Sequence, residues 1–309
     1  MKKLENLLSD FDSTEVSTKY YYDFYDNNSL FFSSFDKKQI LIFNFNKNKF
    51  EMLINFIEEL LSDNIFYNKK ENFFIVLDND IFYKVDIKTS EINKLLVLDK
   101  KINPFATYIG YIEEKNLIIF QYDINNSFIF DLSTNKLEKL YDNINGDLLH
   151  INYLDNKLLL TITTGTFNSS VYIYDFEKKS LKILFGFWEL ILETFFFSKN
   201  KIVIDYTTPD QGQNLGEVCI YDIIKNDFTY LKAHQKLAWG SHLYNNNSFL
   251  TYGVENNNYV KMKIWNNDLE LIKDYDLDMK FSDIIFPTHG EFNRFITIHR
   301  EEGCNLWEF

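Results

Sequence analysis

The sequence predicts an all-β protein, a seven-bladed β-propeller of four-stranded antiparallel blades whose ring is closed by an N-terminal strand that completes the C-terminal blade. Two observations predict this fold. A two-residue motif, the phrase described next, recurs through the chain, and the segments between its copies have the composition and alternation of β-strands. The phrase is an apolar residue followed by an acid or amide, at Phe43-Asn44, Val85-Asp86, Phe130-Asp131, Tyr174-Asp175, Tyr221-Asp222, Trp265-Asn266 and Trp307-Glu308. Its copies are 42 to 47 residues apart with a mean of 44, which is the period of a four-stranded blade.

Each unit consists of four strand-like runs, named a to d. In the fourth unit these are LLHINYL (148–154), KLLLTITT (157–164), SVYIYDF (170–176) and LKILFGF (181–187), and short polar turns separate them. A chain of 309 residues that is 46% hydrophobic is long and apolar enough for one large domain. The expected blades are residues 18–56, 63–98, 105–142, 148–187, 191–233, 237–276 and 281–309 plus 3–9.

The two ends of the chain predict ring closure. The seventh unit has runs for strands a, b and c, ending at Phe309, but none for strand d. The N-terminal segment KKLENLLSD resembles NKLEKLYDN (135–143), which is a strand d in the third unit. We therefore expect residues 3–9 to complete the last blade, which removes an unpaired sheet edge. The alternative is a short amphipathic helix, because Leu4, Leu7 and Leu8 also fit helical spacing.

One unit, residues 231–272, resembles a WD40 repeat. Ala233-His234 stands where that family has Gly-His, and Trp265-Asn266 stands where it has Trp-Asp. The resemblance implies a propeller fold and a buried hydrogen-bond network around the histidine, in this blade alone. It also implies that the b–c and d–a connections share one face of the ring, the top, and that the a–b and c–d turns share the bottom.

Composition and charge exclude several partners and compartments. The formal net charge of -13 opposes the phosphate neutralisation that supplies most nucleic-acid affinity. No apolar stretch is long enough for a signal peptide or a membrane span. Two cysteines, Cys219 and Cys304, form no disulfide framework. We expect a cytoplasmic protein, a monomer when free, that binds neither nucleic acid nor membrane.

The acidic residues concentrate on the predicted top face. Its connections hold about 23 acidic and about 7 basic residues, whereas the bottom turns hold about 10 acidic and about 13 basic ones. A surface of one charge sign attracts a partner of the other sign, although surface acids also serve solubility alone. The aromatic residues assigned to the top connections are Phe11, Phe105, Phe167, Phe187, Trp188 and Trp239. The candidate partner-binding residues combine the acids with some of these aromatics. They are Asp10, Asp12, Phe167, Trp188, Asp210, Gln211, Asp276, Asp278 and Asp283.

The sequence contains no motif for catalysis, a cofactor or a metal. GxSxG, P-loop and GxGxxG patterns are absent, and the five histidines have no zinc-site spacing. His150 and His242 fall in two predicted channel strands, where a structural role is favoured over a ligand role because no third ligand accompanies them. We expect no catalytic residue, no metal and no cofactor.

Two functions from different classes remain. The first is a non-catalytic propeller scaffold whose acidic top face binds a basic protein, in its sharper version an immunity protein that neutralises a toxin or nuclease. The alternative is a propeller enzyme, a hydrolase or lyase, that acts on a small or saccharide substrate in the axial channel, where paired carboxylates are available. The sequence favours the first because of its charge distribution.

Overall fold

The computed structural model describes residues 2–6, 20–26, 29–34, 39–44, 47, 49–55, 65–78, 81–98, 108–123, 126–142, 144–165, 168–207, 216–245, 247–256, 259–277, 283–286, 294–299 and 303–309. These residues form β-strands joined by short turns, with a 3-10 turn at Glu113–Lys115. No helix in this part of the chain is long and apolar enough to cross a membrane.

Six sheets are built from four consecutive strands each, which pair antiparallel in chain order. Sheet I contains β2 (Tyr20–Asp26), β3 (Ser29–Ser34), β4 (Gln39–Asn44) and β5 (Lys49–Asn55), and sheet II contains β6 (Ile65–Asn68), β7 (Phe73–Asp78), β8 (Ile81–Asp86) and β9 (Ile92–Val97). Sheet III contains β10 (Tyr108–Ile112), β11 (Leu117–Asp123), β12 (Asn126–Asp131) and β13 (Lys136–Asp142), and sheet IV contains β14 (Asp147–Leu154), β15 (Lys157–Thr163), β16 (Ser169–Asp175) and β17 (Ser180–Phe187). Sheet V contains β18 (Leu190–Ser198), β19 (Lys201–Thr207), β20 (Glu217–Asp222) and β21 (Asp227–Lys232), and sheet VI contains β22 (Leu237–Asn245), β23 (Ser248–Val254), β24 (Val260–Asn266) and β25 (Leu271–Asp276).

A further sheet, VII, joins the two ends of the described chain. It contains β26 (Asp283–Ile285), β27 (Arg294–His299) and β28 (Gly303–Glu308), and β1 (Lys2–Asn6) pairs antiparallel with β28 as the fourth strand. Lys2 lies opposite Glu308, and Asn6 lies opposite Asn305. Residues 2–6 are therefore a strand and not the helix that was the alternative; residues 7–9 of the expected strand lie outside the described residues.

Apolar clusters hold neighbouring sheets face to face. Phe31 and Phe74 belong to the cluster between sheets I and II, and further clusters join II to III, III to IV, IV to V, V to VI and VI to VII. The first strands of successive sheets contact one another, as β14 does β18 and β18 does β22. The fourth strands, such as β21 and β25, are mostly exposed. Each sheet thus has an inner and an outer edge.

The recurring acid closes the turn between the third and fourth strands. Asp86, Asp131, Asp175 and Asp222 each accept hydrogen bonds from the backbone N–H groups of the second and third following residues at 2.8–3.2 Å. The backbone then turns through a residue in the left-handed region, namely Ser90, Asn135, Lys179 or Asn226. These are Asx turns, and the backbone donors lower the pKa of the carboxyl groups of Asp86, Asp175 and Asp222.

β-Bulges recur at equivalent places in the sheets. The fourth strand of sheets I to IV carries one extra residue, which is Leu53, Leu95, Leu140 or Leu184. The inner strand of sheets IV, V and VI also carries an extra residue, which is Leu149, Leu192 or Trp239. A bulge bends its strand and increases the local twist. Because the bulges recur, successive sheets share their bend and twist as well as their turns.

A buried polar network lies in sheet VI, in the unit that resembles a WD40 repeat. Trp265 Nε1 donates to Thr251 Oγ1 at 3.0 Å, and Thr251 Oγ1 lies 3.0 Å from His234 Nε2. Since tryptophan only donates, the threonine hydroxyl donates to Nε2, and His234 Nδ1–H donates to Glu255 Oε1 at 3.2 Å. Burial lowers the pKa of His234 to about 4, consistent with a neutral ring. Sheet VII has a similar bond from Trp307 Nε1 to Thr297 Oγ1 at 2.8 Å.

Two sequence expectations about aromatic residues need correction. Phe187 was expected to be a loop aromatic at the top face, but it ends β17 and is buried against Tyr206. Trp239 lies in β22 and is partly buried beside the cluster between sheets VI and VII. The loop assignment was wrong because Phe187 is the last residue of β17 and Trp239 the third residue of β22, so both side chains belong to strands.

We expect that deleting residues 1–10 destabilises the protein. The deletion removes β1 and leaves the backbone groups of β28 without the partners that Lys2–Asn6 provide, at a cost of about 0.5 to 1.5 kcal/mol for each lost hydrogen bond. Thermal unfolding measures the effect. A variant with Lys2, Lys3 and Glu5 replaced by alanine keeps the backbone pairing and is the matched control. Equal melting temperatures for the truncated and full chains would contradict the role given to β1.

We expect Thr251→Val to destabilise the protein by about 2 kcal/mol or more, because it leaves the buried Trp265 N–H and His234 Nε2 without their partner. Denaturant unfolding measures the difference. Thr251→Ser keeps the hydroxyl and should cost about 1 kcal/mol for the lost methyl group. A valine variant that is no less stable than the serine variant would show that the network contributes little.

Candidate functional site

Trp188 is the most exposed large apolar side chain in the described part of the chain. It lies with Glu189 in the connection from the outer strand of sheet IV, which ends at Phe187, to the inner strand of sheet V, which begins at Leu190. The tryptophan side chain is 84% exposed, while Phe187 beside it is buried. The short connection leaves the indole no sheet face to pack on, so it lies in solvent.

Glu217, Tyr206 and Tyr230 of sheet V lie close to this connection, because Glu189 interacts electrostatically with each of them. Tyr206 donates a hydrogen bond to Glu217 Oε2 at 3.4 Å, and the rings of Tyr206 and Tyr230 meet edge to face with centroids 6.3 Å apart. Tyr230 is 56% exposed. We call Trp188, Glu189, Tyr206, Glu217 and Tyr230 the Trp188 patch.

The electrostatics of the Trp188 patch are dominated by its acids. Burial and the nearby charge of Glu217 raise the pKa of Glu189 above its ordinary value. Burial, with a further contribution from Glu189, raises the pKa of the Cys219 thiol to about 12. Glu217 lies directly across the sheet from Lys232, so one base borders the patch. The patch therefore combines an exposed indole, exposed phenol and negative potential, which suits a cationic side chain of a partner.

The other candidate residues fall into two groups. Asp276 ends β25 and Asp283 begins β26. Asp276 pairs with Lys261 Nζ at 3.3 Å, and the same lysine contacts Asp274 at 3.1 Å, so the charge of Asp276 is partly neutralised. The sequence did not indicate this pairing, because Lys261 is 15 positions away on the neighbouring strand. Asp10, Asp12, Phe167, Asp210, Gln211 and Asp278 lie outside the described residues.

Two of the candidate residues, Trp188 and Asp276, lie in different parts of the structure. Trp188 lies at the junction of sheets IV and V, while Asp276 belongs to the outer strand of sheet VI. No described contact joins them. Glu189 and Glu217 of the Trp188 patch were not among the candidates. Their position immediately after Trp188 and at the end of the long 207–217 connection was the available signal.

A second polar feature lies on the inner side of sheet V. Glu193 in β18 is directly opposite Asp205 in β19. Asp205 is only 2% exposed, and its Oδ2 accepts two hydrogen bonds from Ser241 of sheet VI, from the backbone N–H at 2.6 Å and from Oγ at 2.7 Å. Burial and the charge of Asp205 raise the pKa of Glu193 to about 8, and burial raises the pKa of Asp205 to about 6. Sequence reasoning missed this pair among 45 acids.

The histidines do not form a metal centre with the other described ligands. His150 lies in the inner strand β14, and burial lowers its pKa to about 4. His242 lies in the inner strand β22 and stacks on Phe286 with ring centroids 5.0 Å apart. Among the residues that the structure describes, no group of three or more His, Cys, Asp and Glu side chains is arranged to hold a metal ion. Cys219 is buried as a free thiol.

Comparisons with known proteins identify the fold and not the family. No family model matches the chain, and no curated protein matches it in sequence. Solved structures that it resembles include the computationally designed Ika8 protein (TM-score 0.62, 12% identity, covering 94% of this chain and 83% of that one) and a chain of the mitotic checkpoint complex (0.54, 10%, 79% and 72%). A third is an oligogalacturonate lyase in complex with manganese (0.55, 12%, 74% and 71%). With the repeated four-stranded sheets, these similarities show a propeller-like repeat fold.

Proposed function

We propose that the chain is a closed, seven-bladed, WD40-like propeller that acts as a non-catalytic scaffold and binds a basic protein through the acidic end of the ring. The observation that carries this proposal is Trp188, whose side chain is 84% exposed at the junction of sheets IV and V. Exposing an indole to water is unfavourable in a free monomer. Tryptophan is also one of the residues most enriched among the energetic anchors of protein interfaces.

The sign of the charge supports a basic partner. The protein carries a formal net charge of -13, and Glu189, which follows Trp188 in the chain, is close enough to Glu217 for the two charges to interact. A lysine or arginine of a partner gains both a carboxylate and an aromatic face there, and arginine stacks on tryptophan most favourably. The acids of the top connections, including Asp10, Asp12, Asp210 and Asp278, extend this field in the proposal.

The sheet packing supports ring closure. Apolar clusters connect sheets I to VII in succession, and β1 supplies the fourth strand of sheet VII from the beginning of the described chain. β1 belongs to sheet VII, and β2, the next described strand along the chain, belongs to sheet I. The chain therefore passes directly from the last sheet to the first. A ring that closes at this point gives sheets VII and I a neighbour on both faces, as the other sheets have.

A sharper version of the proposal is an immunity protein that neutralises a basic toxin or nuclease by covering the cationic surface with which that enzyme binds its substrate. Enzymes of anionic substrates are basic, and acidic inhibitors reach them by electrostatically steered association. Net charge and the Trp188 patch support this version. Binding in the axial channel, as an enzyme requires, would not depend on Trp188.

Binding kinetics with a basic protein captured from the source cell test the proposal. Trp188→Ala should speed dissociation by a factor of about 30, equivalent to about 2 kcal/mol, because it removes a buried anchor of the interface. Replacing Asp276, Asp278 and Asp283 by asparagine should chiefly slow association, since charges at the rim of an interface steer encounter. Raising the salt concentration should weaken binding of the unmodified protein.

The residues changed in the two control variants lie at the other end of the sheets, in the turns between the third and fourth strands. Ile224 is 73% exposed in a turn of the same sheet V, so Ile224→Ala removes a comparable exposed apolar side chain. Lys178 and Lys179 lie in the corresponding turn of sheet IV, and their neutralisation should also leave binding unchanged. Binding that depends on these residues and not on Trp188 would place the interface on the other face.

A further inference from the structure

The carboxyl groups of Glu193 and Asp205 lie on the side of sheet V that faces sheet VI. The two residues are directly opposite each other on β18 and β19, and paired residues of neighbouring strands share a face. Ser241 of sheet VI fixes that face by its two hydrogen bonds to Asp205 Oδ2. Thr207, two residues after Asp205 on β19, is on the same face because side chains alternate along a strand.

Two buried oxygen atoms of this group have no protein partner. Asp205 Oδ1 and Thr207 Oγ1 are inaccessible to solvent, and no group in the described part of the chain hydrogen-bonds to either of them. An unsatisfied buried carboxylate oxygen is costly, so native proteins provide it with a donor, a water molecule or a cation. One hydrogen bond from Glu193 would satisfy Asp205 Oδ1 but would leave the threonine hydroxyl unsatisfied.

The pair also lacks a compensating positive charge. Neither carboxyl group has an ion-pair partner among the side chains that the structure describes, and Ser241, their contact from sheet VI, is neutral. Asp205 is buried and Glu193 opposite it is partly buried, so their ionised carboxylates repel each other; both pKa values are raised, chiefly by burial. A bound cation removes the cost of ionising both groups.

We propose that Glu193, Asp205 and Thr207 form a binding site for a hard divalent cation of the Mg²⁺ type. Mg²⁺ prefers oxygen ligands, and it is commonly held by one or two carboxylates while retaining several water molecules. Two carboxylates and a hydroxyl match that requirement. A structural zinc site, in contrast, needs four protein ligands, mostly cysteine or histidine. The cation would stabilise the junction of sheets V and VI and fix the residue at which the 207–217 connection begins.

The proton competes with the cation for the same carboxylates. In the cation-free protein, Glu193 has a folded-state pKa above its unfolded value, so its contribution to stability is complete below the unfolded pKa and is lost as the pH rises through about 8. A cation restores that loss only if it binds the ionised pair. Its apparent affinity should therefore increase with pH between about 6 and 9.

Calorimetric titration of the chelator-treated full chain with MgCl₂ at pH 8.5, together with thermal unfolding with and without MgCl₂, tests the proposal. The expected result is saturable binding of one ion and a melting temperature that rises with MgCl₂ concentration. Glu193→Gln and Thr207→Val should each weaken binding by about tenfold or more. Asp227→Asn, which removes an exposed acid from the outer strand of sheet V, should leave binding unchanged.

The opposing result is also specific. If MgCl₂, CaCl₂ and MnCl₂ do not bind at pH 8.5, and Glu193→Gln only removes the loss of stability between about pH 4.5 and 8, the pair holds a shared proton and the proposal is wrong. Binding that survives Glu193→Gln would place the ion elsewhere and would also overturn it. The Trp188→Ala test measures binding of a protein partner, whereas the MgCl₂ test measures the free chain, so the failure of one does not decide the other.

Discussion

Packing between the faces of neighbouring sheets is the interaction on which the rest of this structure depends. A four-stranded sheet with two apolar faces cannot bury those faces by itself, and each sheet here buries apolar side chains, mostly Phe, Ile, Leu and Val, against its neighbour in the chain. This requirement accounts for the many aromatic residues in the strands. It also accounts for the recurring turns and bulges, which give successive sheets the same shape. It further accounts for the use of β1, from the beginning of the described chain, as the fourth strand of sheet VII. It also confines the residues that are free for binding to the connections.

The parts of the fold that follow from local chemistry were predictable from the sequence. The recurring aromatic–acid phrase predicted the turns because one residue pair performs two tasks in succession: Tyr221, for example, packs between sheets, and Asp222 accepts the backbone donors of the turn that follows. The strand at residues 2–6 was predictable because it repeats the pattern of residues 135–143. The bulges at Leu140 and Leu184 were not, since an extra residue in a strand has no distinct composition.

The polar groups that meet across sheets were beyond sequence reasoning. His234 and Trp265 were visible as a motif, but the two residues that connect them, Thr251 and Glu255, are an ordinary strand residue and an ordinary acid in sequence. Asp205 and Ser241 are 36 positions apart and belong to different sheets. Exposure is equally invisible, because Phe187 and Trp188 are adjacent aromatics of which one is buried and the other lies in solvent. Only the alternation of the strand, as folded, distinguishes them.

The pairing of β1 with β28 has a consequence for biosynthesis. Lys2 is opposite Glu308, so β1 cannot pair with β28 until the 306 residues that follow Lys2 have been translated. At a synthesis rate of about 5–20 residues per second, that interval is roughly 15 to 60 s. During this time sheets I to VI, each built from consecutive strands, have all of their own strands, whereas β1 has none of its hydrogen-bond partners. While it is unpaired, β1 carries the charged residues Lys2, Lys3 and Glu5. Charged residues on an unpaired strand oppose its pairing with other chains.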